Sequence, residues 1–389
     1  MKKVVMLTSR ETEVPPTKGA AIQTWMHEVS QRVSAFQTHI ISIAHPFLPE
    51  REFRNGVYYH RIRIGRVYRR LFQKITRWDP RGYHRRAFDI IRSIQPDIVH
   101  IHHDYHAAEL VRWIRAELPA AKVILHMHNE VREFDHRQGH PRFPAVDALL
   151  GCSDYITDHY RPIIDTDRFQ TIYNGVDLDR YRESARLHRQ GLHPRAPAEG
   201  QFAVVYFGRV SPEKGTDTFV DLAHACRDDA RLRFFCIGEI SRNGKRARFF
   251  EDIEARMARD GINNLEFLDV VPQDKMHLAY ALADVVVIPS RFEEPFCMVA
   301  IEAMAAEIPV VAVAKGGMTE YLRDGENALL IDDYDRFAEL ARERLLDLLA
   351  ADDARGEMVR AARESVERRF DWFRIGADLE RFYQTLLSS

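Results

Sequence analysis

Short apolar runs alternate with stretches of helical periodicity along almost the whole chain. In the first half the runs Lys3–Leu7, Thr38–Ile43, Asp97–His102, Lys122–His126, Ala148–Gly151 and Gln170–Tyr173 predict strands. In the second half Phe202–Phe207, Arg231–Ile237, Leu265–Leu268, Val285–Ile288, Val310–Val313 and Ala328–Ile331 do the same. A helix is predicted from about Ala20 to Val33, and helical patterns separate the later strands. Strands alternating with helices predict parallel sheets covered by helices, hence an α/β fold. Two such domains, each doubly wound and Rossmann-like, are expected to face each other across a cleft at the carboxyl ends of their strands, where open α/β sheets bind ligands.

The same pattern sets the expected boundaries. Residues 1–181 form the first domain, and 202–370 form the second. The stretch 182–201 is rich in Arg, His, Pro and Ala without an apolar period and reads as a linker. Residues 371–389 carry apolar positions at helical spacing and are expected to return as a helix to the first domain.

Composition narrows the function classes. A length of 389 residues fits two domains better than one. With a net charge of −2 the molecule as a whole is not a polycation, which argues against a nucleic-acid partner. The four cysteines, Cys152, Cys226, Cys236 and Cys297, form no CxxC pair and suit reduced thiols in the cytoplasm. The N-terminal apolar stretch Val4–Leu7 is too short for a signal peptide, and no run approaches the ~20 apolar residues of a membrane span. A cytoplasmic protein is expected.

Candidate chemistry concentrates in the second half. The strand ending at Phe207 runs into Gly208-Arg209, then Lys214-Gly215. Two cations five residues apart on a strand-to-helix loop can clamp a diphosphate, Arg as a fork and Lys as a point charge. Further on, the strand ending at Ile288 leads through Pro289-Ser-Arg-Phe-Glu-Glu294-Pro-Phe-Cys-Met-Val-Ala-Ile-Glu302. A helix is expected to start near Pro295, so that the amides of Phe296, Cys297, Met298 and Val299 face an anion. Eight helical residues would separate Glu294 and Glu302 by about 12 Å. That span matches a sugar, two phosphates and a ribose, with a carboxylate at either end for vicinal hydroxyls. The apolar neighbours Ala300, Ile301, Ala303 and Met304 place Glu302 on a largely buried helix, where a carboxylate needs a partner.

At these residues the chain resembles the family 4 retaining glycosyltransferases of the GT-B fold, and looks closest to those that make bacterial cell-surface and spore-coat saccharides. The likeness rests on Gly208-Arg209…Lys214-Gly215, Glu294 through Glu302-Ala303-Met304-Ala305, Ile308-Pro309-Val310-Val311, Gly316-Gly317…Glu320, Asp324-Gly325 and Tyr173-Asn174-Gly175-Val176-Asp177. The resemblance implies that Arg209 and Lys214 bind the donor diphosphate, that Glu294 holds hydroxyls of the donor sugar, and that Glu302 holds the ribose. The amides around Cys297 and Met298 would touch phosphate. It implies a nucleotide diphosphate sugar as substrate, by family frequency a UDP-sugar, a saccharide or lipid-linked acceptor, no cofactor and no metal. Two departures stand out. The family usually has glycine where this chain has Cys297, and its two-glycine loop in the first domain appears here as Gly19-Ala20.

In the first domain the loop ending in Gly19-Ala20 is implied to meet the diphosphate. The run Leu125-His126-Met127-His128-Asn129 ends a strand, and His128 matches the family's histidine beside the donor sugar, with His126 the neighbouring alternative. Hydrogen bonding to the sugar is its expected role, with cation-like stabilisation of developing charge secondary. The pairs His100/His102 and His126/His128 lie on separate strands with no set of cysteines or carboxylates, so no metal site is expected. Residues 61–92 hold eleven cations, Arg61 first and Arg92 last, against Asp79 and Asp89, a net of +9, interleaved with Leu71, Phe72, Ile75, Trp78 and Phe88. Such a segment can lie on an anionic membrane at its inner face or meet an acceptor; a solvated helix pair is the plainer alternative. The rival functions are a nucleotide-sugar epimerase or phosphorylase on the same fold, or an inactive sugar-nucleotide-binding subunit.

Overall fold

A computed structural model describes the chain except Lys18, residues 66–67 and 69–80, Tyr105, residues 131–144, Arg242 and Ser389. It divides into two compact units, Met1–Asn174 with Trp372–Ser389, and Gly175–Asp371. Each is a Rossmann-like α/β domain.

The first unit holds β1 (Lys2–Thr8), β2 (Phe36–Ile43), β3 (Arg51–Arg54), β4 (Val57–Ile62), β5 (Ile98–His102), β6 (Lys122–Met127), β7 (Ala148–Gly151) and β8 (Phe169–Thr171). They form one sheet in the order β3-β4-β2-β1-β5-β6-β7-β8. All pairs are parallel except β3–β4. The antiparallel edge was not legible in the sequence. Arg51-Glu-Phe-Arg54 is almost wholly polar, and its strand is largely exposed, so no apolar run betrays it.

The second unit holds β9 (Phe202–Phe207), β10 (Leu232–Ile237), β11 (Leu265–Leu268), β12 (Val285–Ile288), β13 (Val310–Ala312) and β14 (Leu329–Leu330), all parallel in the order β11-β10-β9-β12-β13-β14. Near-continuous Val, Ile and Phe in β9 and β12 is the signature of strands covered on both faces. In both sheets the order reverses beside the first strand of the unit, between β1 and β5 and between β9 and β12. Such switch points open a crevice at the carboxyl ends.

The helix Trp372–Ser388 belongs to the first unit. Its buried face, Trp372, Ile375, Leu379, Tyr383 and Leu386, joins the core beside Trp25, Met26 and Val29 of the helix Ala21–Ser30. Gly376 lets the backbones approach, because a Cβ there would lie 2.7 Å from Arg32 Cβ.

The expected linker 182–201 is corrected in its first half, and with it the boundary at residue 181. Leu178–Arg189 is a helix of the second unit, capped by Asp177, whose side chain accepts from the Arg180 N–H at 3.1 Å. Only Tyr181, Ser184 and Ala185 are buried on it, a stripe too narrow to give an apolar period.

Within the described residues the basic segment is partly built into the unit. Arg61 is 3 % exposed, donates to the carbonyls of Val14 and Pro49 and pairs with Glu52 at 2.9 Å. Helix Tyr83–Ile94 buries its apolar face, Tyr83, Ala87, Phe88, Ile91 and Ile94, inside the unit, so Phe88 is not available to a membrane. Arg81, Arg85 and Arg92 share Asp89 as an ionic partner. Leu71, Phe72, Lys74, Ile75, Arg77 and Trp78 lie outside the described residues.

Replacing Gly376 with alanine should push the helix Trp372–Ser388 away from Arg32 and destabilise the first unit by about 1–3 kcal/mol. Denaturant unfolding followed by tryptophan fluorescence, to which Trp25 and Trp372 contribute, reads this as a lower midpoint at unchanged slope.

Candidate active site

In the second unit the loops after β9 and β12 meet at the switch point. The first runs Gly208-Arg209 to the single 3-10 turn Pro212–Lys214, and Gly215 at φ 70° opens the helix Thr216–Ala225. Tyr206 ties the loop down: its hydroxyl donates to the Arg209 carbonyl at 2.8 Å. A Cβ on Gly215 would lie 1.8 Å from the Pro289 carbonyl oxygen, so only glycine lets the two loops touch.

That contact sets the central pair. Lys214 Nζ lies 2.8 and 3.1 Å from the two oxygens of Glu294, and the Ser290 hydroxyl donates to the same carboxylate at 2.5 Å. Glu294 is 4 % exposed, and the Lys214 side chain 25 %. A buried carboxylate is tolerated because an ammonium and a hydroxyl satisfy it. Lys214 also lies over the Phe292 ring, 4.7 Å from its centre. The Glu294 backbone is held separately, its carbonyl accepting the Gly317 N–H at 2.7 Å. Arg209 is exposed and makes no ion pair among the described residues. Gly208 sits at φ 152° beside it.

The helix expected near Pro295 starts at Met298 and ends at Ala305. Cys297 caps it at φ 70° and ψ 89°, a left-handed conformation that costs a residue with a Cβ about 1–2 kcal/mol. The amides at the start of the helix are therefore those of Met298, Val299 and Ala300. Phe296 precedes it, and its ring, 2 % exposed, packs against Tyr321 and Phe370. The 12 Å spacing by helical rise does not apply, since Glu294 to Cys297 is not helical. Burial, then the Glu294 charge, pushes the Cys297 thiol up to about 12, so it stays protonated.

Glu302 finds partners that spacing did not reveal. Tyr280 donates to its Oε2 at 2.7 Å, and Tyr181 hydrogen-bonds the same carboxylate. Tyr280 itself stacks on Phe207 at 4.0 Å. Burial raises the Glu302 pKa to about 7 against the pull of these two hydroxyls.

In the first unit His102 of β5 stands opposite His126 of β6. His128 follows β6, 6 % exposed, with Nε2 3.3 Å from His102 Nδ1 and its ring stacked on His126 at 4.2 Å. Burial and the neighbouring histidines hold its pKa well below the usual range, so His128 is neutral. It can hydrogen-bond a hydroxyl; the expected cationic role does not fit. Adjacent strands also bring His100, His102 and His126 together, all fully buried, with ligand atoms within 4.8 Å of one another. The case against a metal, which took the strands separately, is corrected on that point. Gly19 is exposed and Ala20 half-buried, just before the helix Ala21–Ser30. At the β1–β5 switch point a cavity of about 440 Å³ is lined by Ser9, Arg10, Glu11, His84, His103, Asp104 and His106, with His84 Nε2 2.6 Å from Asp104. His84 and Asp104 stand 20 apart in sequence, and no spacing flagged them.

Residues 192–365 match the model described as Glycosyl transferases group 1, and residues 22–180 that of Glycosyltransferase Family 4. The chain is 29 % identical to Lipopolysaccharide 1,2-N-acetylglucosaminetransferase of Salmonella typhimurium over 98 % of this chain and 97 % of that protein. It is 25 % identical to Spore coat protein SA of Bacillus subtilis, over 98 % and 99 %. Among solved structures it is similar to a sucrose-phosphate synthase from Thermosynechococcus elongatus, with TM-score 0.78, 18 % identity and full coverage of both chains. A second is Anabaena Alr3699/HepE in complex with UDP and glucose, with TM-score 0.76, 16 % identity and 99 % and 100 % coverage.

The raised Glu302 pKa fixes a sign. Between about 4.5 and 7 the folded carboxyl holds a proton that the unfolded one has lost, so stability falls as pH rises through that window and levels off above it. Glu302→Gln should remove this slope, on the order of 1–3 kcal/mol across the window. Unfolding midpoints of both proteins at pH 5 and pH 8 measure it.

Proposed function

The chain belongs to the group 1 and family 4 glycosyltransferases of the GT-B fold, and on that premise we propose that it transfers a sugar from a UDP-sugar to a saccharide or lipid-linked acceptor with retention of configuration. The observation that carries the reading is the Lys214–Glu294 pair at the β9–β12 switch point, with Arg209, which makes no ion pair among the described residues, on the same loop as Lys214. The pair puts a cation for phosphate next to a carboxylate for sugar hydroxyls.

In the proposed reaction the bond between the sugar C1 and the diphosphate oxygen breaks, and UDP leaves. Arg209, Lys214 and the amides of Met298 and Val299 stabilise the charge that develops on it, which is electrostatic catalysis by groups fixed before the reaction begins. The sugar passes through an oxocarbenium-like state. The acceptor hydroxyl forms the new bond on the face that UDP vacates, and its proton goes to the departing phosphate oxygen. Fixed cations suffice for this charge, so the step is assigned no metal. Glu294 orients hydroxyls of the transferred sugar while salt-bridged to Lys214. Glu302 takes the ribose hydroxyls, and the Tyr181 and Tyr280 hydroxyls hold its carboxylate in place. Neutral His128 hydrogen-bonds the sugar, and the Cys297 side chain takes up room beside the phosphates. The likeness to a lipopolysaccharide N-acetylglucosaminyltransferase supports an acceptor of the cell-surface saccharide class. The cavity around His84 and Asp104 is its proposed seat in the first unit.

A thermal-shift comparison of UDP, GDP, ADP and dTDP should give UDP the largest rise, about 2.7 kcal/mol of stabilisation at a hundredfold excess over Kd. Lys214→Ala and Arg209→Ala should each lower kcat by about 10²–10³. Near-normal turnover in both variants refutes the assignment. Turnover of donor without acceptor would indicate an epimerase, and a requirement for inorganic phosphate a phosphorylase.

A further inference from the structure

Among the described residues, the first unit contains a group of ring nitrogens that the proposed transfer reaction leaves unused. His100, His102 and His126 are 0 % exposed and project onto one face of β5 and β6, under the indole of Trp25. The Trp25 ring centre lies 6.0, 5.1 and 4.8 Å from theirs. The Nε2 atoms of His100 and His102 and both nitrogens of His126 are buried without a hydrogen-bond partner. Buried polar atoms are rarely left so, and each asks for an explanation.

The partnered nitrogens show which way the rings are set. His100 Nδ1 lies 2.6 Å from the Tyr383 hydroxyl, and His102 Nδ1 3.3 Å from His128 Nε2. A proton on each Nδ1, donated to those partners, leaves the lone pair on Nε2. Metal-binding histidines are held in the same way, with the second ring nitrogen donating to an outer partner. One ring nitrogen from each of His100, His102 and His126 lies within 4.8 Å of one from each of the other two. Around an ion at a metal–nitrogen distance of about 2.0–2.1 Å, three imidazole nitrogens sit about 3.3 Å apart. Binding an ion therefore requires the three rings to turn toward a common point.

We propose that His100, His102 and His126 form a buried three-imidazole site for a transition-metal ion, zinc or copper(I). Nitrogen donors suit these ions and not calcium or magnesium, which take oxygen. No carboxylate or thiolate belongs to the group among the described residues. The ion joins β5 to β6 and, through Tyr383, to the returning helix Trp372–Ser388. By fixing the His102 proton on Nδ1 it also obliges His128 to accept at Nε2 and carry its own proton on Nδ1. The site is structural and separate from the diphosphate-binding loops of the second unit, so it stands or falls independently of the glycosyl-transfer reading.

The test uses the untagged full chain, expressed in media supplemented with zinc or with copper and dialysed against a chelating resin. Elemental mass spectrometry should find about one ion per chain in at least one arm, and the arm identifies the metal. X-ray absorption at that metal's edge should show imidazole ligands at about 2.0 Å. His126→Phe keeps a ring under Trp25 and removes both nitrogens; it should retain at least about tenfold less metal. Metal below a tenth of an equivalent in both arms overturns the proposal, as does equal metal in His126→Phe. Should that variant not fold, a wild-type absorption spectrum without imidazole scattering overturns it equally.

Discussion

The ammonium of Lys214 against the carboxylate of Glu294 is the contact on which the second unit's site depends. It joins two loops that are far apart in sequence and adjacent only because β9 and β12 are neighbours at the reversal of strand order. The backbone makes the contact obligatory: Gly215 touches the Pro289 carbonyl, and the Gly317 amide holds the Glu294 carbonyl from the other side. Remove the cation and, among the described residues, the Ser290 hydroxyl is the one side-chain partner left to a carboxylate that is 4 % exposed; breaking a buried pair in this way is destabilising. Lys214 and Glu294 thus hold each other in place.

The second acid is maintained differently. Among the described residues Glu302 has no cationic partner; two tyrosine hydroxyls satisfy it, and burial lifts its pKa to about 7. Between the acids lies Cys297, in a backbone conformation that favours glycine. Strain of this kind persists where surrounding structure over-determines it. Here Tyr321 donates to the carbonyls of Phe296 and Cys297 and fixes the turn. The cysteine at this position in place of glycine is therefore built into the fold of the loop.

Much of this was legible in the sequence, for physical reasons that can be named. Parallel strands buried on both faces are apolar throughout, so β9 and β12 announced themselves, and the loops that follow them carried Arg209, Lys214 and Glu294 in plain view. Partners that depend on tertiary contact were hidden. Tyr280 lies in an apolar run that reads as core, and Tyr181 on a helix whose buried stripe is too thin to detect. The start of the helix at Met298 was misplaced because proline at 295 suits a first turn, while the left-handed Cys297 has no sequence signal. The grouping of the histidines was hidden for another reason. β5 presents two rings and β6 one, with His128 just beyond it, and only the register of His102 against His126 shows that they share one surface.

The central claim is that Lys214, steadied by Glu294, recognises the second phosphate of the donor nucleotide. Calorimetric titration of UDP and UMP into the wild type and Lys214→Met measures this directly. The account predicts that the wild type binds UDP much more tightly than UMP and that the variant binds the two alike. An undiminished preference for UDP in the variant would contradict it.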